Sequence, residues 1–82
     1  MNITEWRQRR NLGPREAAVL ADTDYSHWTA TERFAYANLP TAIRNLIAEL
    51  DGEEAAREAE RDYASGRARL RLAVLEGLAA DR

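Results

Sequence analysis

The chain has 82 residues, with 12 basic and 14 acidic side chains and a net charge of −2. That length suits one domain with a small core, marginal enough that oligomerisation is a natural source of extra stability. The absence of cysteine excludes disulfides and thiolate metal sites, and no stretch approaches the ~20 apolar residues of a membrane span.

The N-terminus lacks a basic segment followed by an apolar run, so no signal peptide is expected and a reducing cytoplasm fits the composition. An acidic balance argues mildly against nucleic acid, because phosphate contacts supply much of DNA affinity. The distribution softens that objection: residues 1–50 hold six Arg and six acids, whereas residues 51–82 hold six Arg and eight acids. Every basic residue is Arg, which suits bidentate contact with phosphate and guanine and is also what a GC-rich genome encodes.

In chain order, residues 3–11 read as a first helix capped by Asn2 or Thr4, with Ile3 and Trp6 on one face and Arg7, Gln8 and Arg10 largely on the other. Asn11 tolerates the left-handed backbone that ends helices. A second helix covers 14–21: Gly13 sits at its cap, Pro14 at its first position, and Ala17, Ala18 and Ala21 admit a close neighbour. Asp22, Thr23 and Asp24 form a tight corner. Asp24 then caps a third helix running to about Phe34, with Trp28 as its buried anchor. After a loop over 35–39, Pro40 opens a fourth helix to Leu50 whose Ile43, Leu46, Ile47 and Leu50 are in register for a core. Asp51 and Gly52 end it.

Residues 53–64 are rich in helix formers and in acid–Arg pairs such as Glu53 and Arg57. Ser65 and Gly66 read as a break or a kink. The segment 67–74 alternates Arg with Ala or Leu, as a strand does, yet its residue types are helix formers, and these favour helix. The expected fold is therefore all-α. A helix-turn-helix domain of four helices over 1–52 precedes a helical segment over 53–82.

Two short helices joined by a tight corner over Asn11–Glu32 form a helix-turn-helix, whose second helix can enter a DNA major groove. The same residues resemble the Cro/repressor-like (XRE-type) class of transcriptional regulators. Its pattern is Gly-Leu-Thr-Gln-x-Glu-x-Ala, then x-x-Leu-Gly-Val-Ser-x-x-Thr-hydrophobic-x-x-Trp-Glu-x-Gly. Leu12, Glu16, Ala18 and Glu32 match it. Asn11 stands for the first Gly, Gly13 for the Thr cap, Asp24 for the Ser cap and Trp28 for the buried hydrophobic residue, and Pro40 resembles the Pro that opens the next helix. The departures are Pro14 for Gln, which removes a phosphate contact; Asp22-Thr23 for the corner Gly-Val, which adds an acid; Thr31 for Trp; and Phe34 for the closing Gly. The likeness covers about residues 3–50. A narrower likeness is to small anti-CRISPR-associated autorepressors of phages, some of which share Glu-Ala-Ala, a Trp one turn before Glu and a following helical dimerisation segment.

A recognition helix presents its N-terminal residues to base edges, here Tyr25, Ser26, His27, Thr29 and Ala30, with Arg33 one turn on. Ser26 and Thr29 suit bases or phosphates, Ala30 a thymine methyl, and Arg33 guanine or phosphate. Arg15, in the first turn of the second helix, is placed for a phosphate. His27 reads equally as a plain exposed histidine, Tyr25 as packing against the corner, and Arg33 as the partner of a surface acid. Glu32 reads as structural, since an acid repels phosphate. Arg7, Arg9 and Arg10 form either a phosphate patch or a solvated face. Neither a catalytic triad nor a phosphate-binding Gly loop is present, and one His without Cys builds no zinc site, so no enzyme, metal, cofactor or small-molecule substrate is expected.

Residues 53–82 are expected to dimerise the chain through Tyr63, Leu70, Leu72, Val74, Leu75 and Leu78; the alternative is that they fold back on their own domain. A homodimer would set two reader helices ~34 Å apart on double-stranded DNA with an inverted repeat. The function expected is a repressor. The competing expectation is a small helical interaction module, antitoxin-like or inhibitory, that acts on a protein partner and is favoured by Pro14, Asp22, Asp24 and the net charge.

Overall fold

The first three helices begin where the sequence supplies a cap. Asn2 accepts the Glu5 backbone N–H at 2.9 Å, so Asn2 and not Thr4 opens α1 (Ile3–Arg9). Pro14 opens α2 (Pro14–Leu20), where Glu16 reaches back to accept the Gly13 N–H at 3.0 Å. Asp24 accepts the His27 N–H at 2.7 Å and caps α3 (Tyr25–Glu32). Helices α4 (Thr41–Asp51) and α5 (Glu53–Ala80) follow, hinged at Gly52, whose φ of 98° suits glycine. The computed structural model describes residues 1–80, all-helical with no strand among them.

The first three helices end in one way. Asn11, Asp22 and Phe34 adopt positive φ (56°, 55° and 58°). In each case the next residue donates its N–H to a carbonyl five residues back: Leu12 to Arg7, Thr23 to Ala18 and Ala35 to Ala30. Asn11, Asp22 and Phe34 themselves donate to Gln8, Val19 and Thr31. These are Schellman closures, which satisfy the last carbonyls of a helix. They stop α1 at Arg9 instead of residue 11, and α3 at Glu32 instead of about Phe34.

The core gathers Ile3 and Trp6 of α1, Ala17 and Ala18 of α2, Trp28 of α3, and Ile43, Leu46 and Ile47 of α4. Small alanines let α2 and α3 pack closely. The core does not stop at the expected domain boundary of residue 52. Ala56, Ala59 and Tyr63 of α5 are buried in the same cluster, because their spacing makes one stripe that lies on α4. Arg44 of α4 ties the two helices, donating to Glu60 at 2.8 Å and pairing with Glu53.

Helix α5 runs unbroken through Ser65 and Gly66. Gly66 serves a close approach: a Cβ there would lie 2.6 Å from ring carbons of Phe34. The stretch 67–74 is helical. It extends an existing helix at no new nucleation cost, and no second strand is at hand to pair with it. Beyond Arg67 every described residue is exposed, so α5 has a buried half and a bare half, and the molecule is drawn out to 46 × 25 × 20 Å.

Candidate nucleic-acid interface

One face of α3 is fastened to the core. Trp28 is fully buried and its indole Nε1 donates to Glu32 Oε1 at 2.8 Å. The same oxygen accepts Arg7 Nε at 2.7 Å, and Arg7 Nη1 donates to the Leu12 carbonyl at 2.9 Å. Buried Thr31 donates to the His27 carbonyl. Glu32 thus joins α1, α3 and the loop before α2, the structural role read from its type.

At 100° per residue, Ser26, Thr29, Ala30 and Arg33 fall on the side of α3 opposite Trp28 and Thr31, with Tyr25 and His27 on its flanks. Ser26 and Arg33 are exposed, and Thr29 and Ala30 are half-buried. Thr29 donates its hydroxyl proton to the Ser26 carbonyl at 3.1 Å, leaving its oxygen to accept. Tyr25 is 40 % exposed, and the Arg15 guanidinium lies 4.2 Å over its ring. This cation–π contact brings α2 and α3 together at the expected site and holds the Arg15 head without neutralising it. Arg33 has no acidic partner among the described residues, and neither has Arg15 or Arg9.

His27 is half-buried and bound to the loop after α3. Its Nδ1 is 2.9 Å from the Tyr36 hydroxyl, with ring centroids 5.0 Å apart. Nothing in the sequence pointed to Tyr36, a loop residue nine positions on.

Of the two readings of Arg7, Arg9 and Arg10, a phosphate patch or a solvated face, the shared patch is not there. Arg7 is committed to Glu32 and Leu12, and Arg10 pairs with Asp51 while lying over the Trp6 ring. Only Arg9 remains free. Exposed Asp22 and Asp24 offset Arg15 and Arg33, so the surface around α3 is mixed in charge.

Of the residues expected to dimerise the chain, Leu70, Leu72, Val74, Leu75 and Leu78 are 44–57 % exposed along the bare half of α5. Tyr63 is not among them. It is 2 % exposed, stacks on Phe34, and clasps the Tyr36 backbone, donating to its carbonyl at 3.0 Å and accepting its N–H at 3.2 Å. Its place on the inner face of α5, one turn before the helix leaves the core, makes it a core residue.

No group of three or more acidic, His or Cys side chains among the described residues is arranged to hold a metal, and no described helix is long and apolar enough to cross a membrane. No protein family, curated protein or solved structure matches the chain.

Proposed function

We propose that this chain is a sequence-specific DNA-binding regulator of the Cro/repressor-like kind. In this reading α1–α4 form a helix-turn-helix unit with α3 as the recognition helix. The observation that carries it is the backbone at three residues. The regulator pattern has glycine where this chain has Asn11, Asp22 and Phe34, and these are the three non-glycine residues with positive φ among the described residues. L-residues rarely adopt that conformation, so their agreement with the pattern's glycines supports a shared chain path despite different side chains. The outward side of α3 adds support, with Ser26, Thr29 and two guanidinium groups that have no acidic partner among the described residues, Arg15 and Arg33, beside it.

The bare half of α5 completes the reading as a homodimer interface, which makes the target an inverted repeat. The mechanism is then occlusion of a promoter by the bound dimer. A second reading, in which this surface docks a protein, draws on Asp22 and Asp24 at the corner and on Val19 and Leu20, which are 76 % and 52 % exposed at the end of α2.

A gel-shift titration of the purified chain on DNA upstream of its own gene, with random DNA as competitor, tests the proposal. A specific shift is expected. Arg33→Ala should weaken it roughly tenfold, as loss of a base or phosphate contact of about 1–3 kcal/mol implies. A folded chain that gives no shift well above micromolar concentration favours the protein-docking reading.

A further inference from the structure

Two side chains from outside α3 touch its outward residues: Arg15 stacks on Tyr25, and Tyr36 bonds to His27. The second contact is built from the core outward. Tyr63, buried in α5, both donates to the Tyr36 carbonyl and accepts the Tyr36 N–H. The Tyr36 backbone is therefore clamped, and its phenol is delivered to His27 Nδ1 at 2.9 Å.

The direction of that hydrogen bond follows from acid–base chemistry. A phenol O–H is a far stronger acid than a neutral imidazole N–H, and an imidazole nitrogen is a stronger base than a phenol oxygen. The Tyr36 hydroxyl also has no other acceptor among the described residues. Tyr36 therefore donates and Nδ1 accepts, which puts the ring proton of neutral His27 on Nε2. That nitrogen has no partner among the described residues, and His27 is only half-buried.

We infer that Tyr36 fixes His27 as a hydrogen-bond donor at the edge of the DNA-reading surface, and that Nε2–H reads a keto oxygen on a base edge, O6 of guanine or O4 of thymine. This rests on the proposed DNA-binding function. An imidazole free to change tautomer offers a donor or an acceptor and separates guanine and thymine poorly from adenine and cytosine, which present an amino group. A locked one accepts no such group, so the lock converts His27 from an ambivalent contact into a discriminating one. Tyr36 is the positioning residue, and it acts through His27.

Two measurements test this. His27 is the only histidine in the chain, so a long-range ¹H–¹⁵N spectrum reports its tautomer without assignment. At about pH 8, where an ordinary imidazole is neutral, the unaltered chain should show the Nε2–H form alone, and Tyr36→Phe a mixture of both forms. A proton on Nδ1, or a mixture in the unaltered chain, overturns the inference. In the second measurement a randomised pool of duplex DNA is selected in parallel with the unaltered chain, Tyr36→Phe and His27→Ala, each checked by thermal melting. One position of the half-site should lose its preference for a keto base, guanine or thymine, severalfold in both variants while the other positions hold. If all three proteins select the same half-site, the role of His27 falls and DNA binding stands. If the unaltered chain enriches no sequence, the DNA-reading function falls and this inference with it. Should Tyr36→Phe melt far below the unaltered chain, the spectrum of the unaltered chain and the His27→Ala selection decide.

Discussion

Glu32 holds the indole of Trp28 and the guanidinium of Arg7 on a single oxygen. Glu32→Ala leaves a buried N–H and a partly buried cation unpaired, a loss of about 2–4 kcal/mol. In a domain of this size that lowers the melting temperature by roughly 10–20 °C in circular dichroism, and Glu32→Gln, which keeps an acceptor, should lose about half as much. Asp51 brings a pH dependence. The Trp6 indole N–H, at 2.5 Å, and then Arg10 hold its carboxyl below the usual carboxylate range, against the opposing effect of desolvation. A depressed acid stabilises the fold above its unfolded pKa, about 4, and loses that contribution as the pH falls through the folded value. Melting curves from about pH 6 down to about pH 2.5 should show the gap between the native chain and Asp51→Asn closing at the acid end. Some of this was legible in the sequence. The Asp24 cap and the Trp28 anchor follow from residue type and spacing within one helix. The fates of Arg7 and Arg10 do not, because their partners lie 25 and 41 positions away.

Helices were legible where side chains carry their own signal and ambiguous where two signals compete. The caps at Asn2, Gly13-Pro14 and Asp24 set three helix starts to within a residue, whereas the ends depended on which residues would take positive φ. Asn11 announces that conformation; Phe34 does not, since a large side chain rarely adopts it. The stretch 67–74 has a two-residue alternation on helix-forming residues, and only its continuity with the packed half of α5 decides for helix. The contact of Gly66 with Phe34 was invisible for the same reason, being tertiary. It gives a testable coupling. Gly66→Ala should lower the melting temperature, because the new methyl meets the Phe34 ring. In a Phe34→Ala background the same change should stabilise by about 1 kcal/mol, the ordinary helix preference for Ala over Gly.

Across the whole molecule, charge and apolar surface are unevenly divided. Residues 51–62 carry six acids against Arg57 and Arg61, and the bare half of α5 carries Arg69 and Arg71 against Glu76. The core crosses residue 52, which the sequence could not show, because periodicity shows that a stripe exists but not where it finds a partner: Ala56, Ala59 and Tyr63 find theirs inside the chain. The proposed dimer therefore rests on Leu70, Val74 and their neighbours alone. Leu70→Glu with Val74→Glu should leave the helical signal and core intact in circular dichroism and halve the mass seen by sedimentation. DNA recognition by a chain of net charge −2 shows itself first in the salt dependence of binding. Two protomers, each offering Arg15 and Arg33, neutralise up to about four phosphates, so log affinity for a selected duplex should fall against log salt with a slope of about −3 to −4. A slope near zero, or no binding at low salt by a folded dimer, would contradict the account and turn the search to a protein partner.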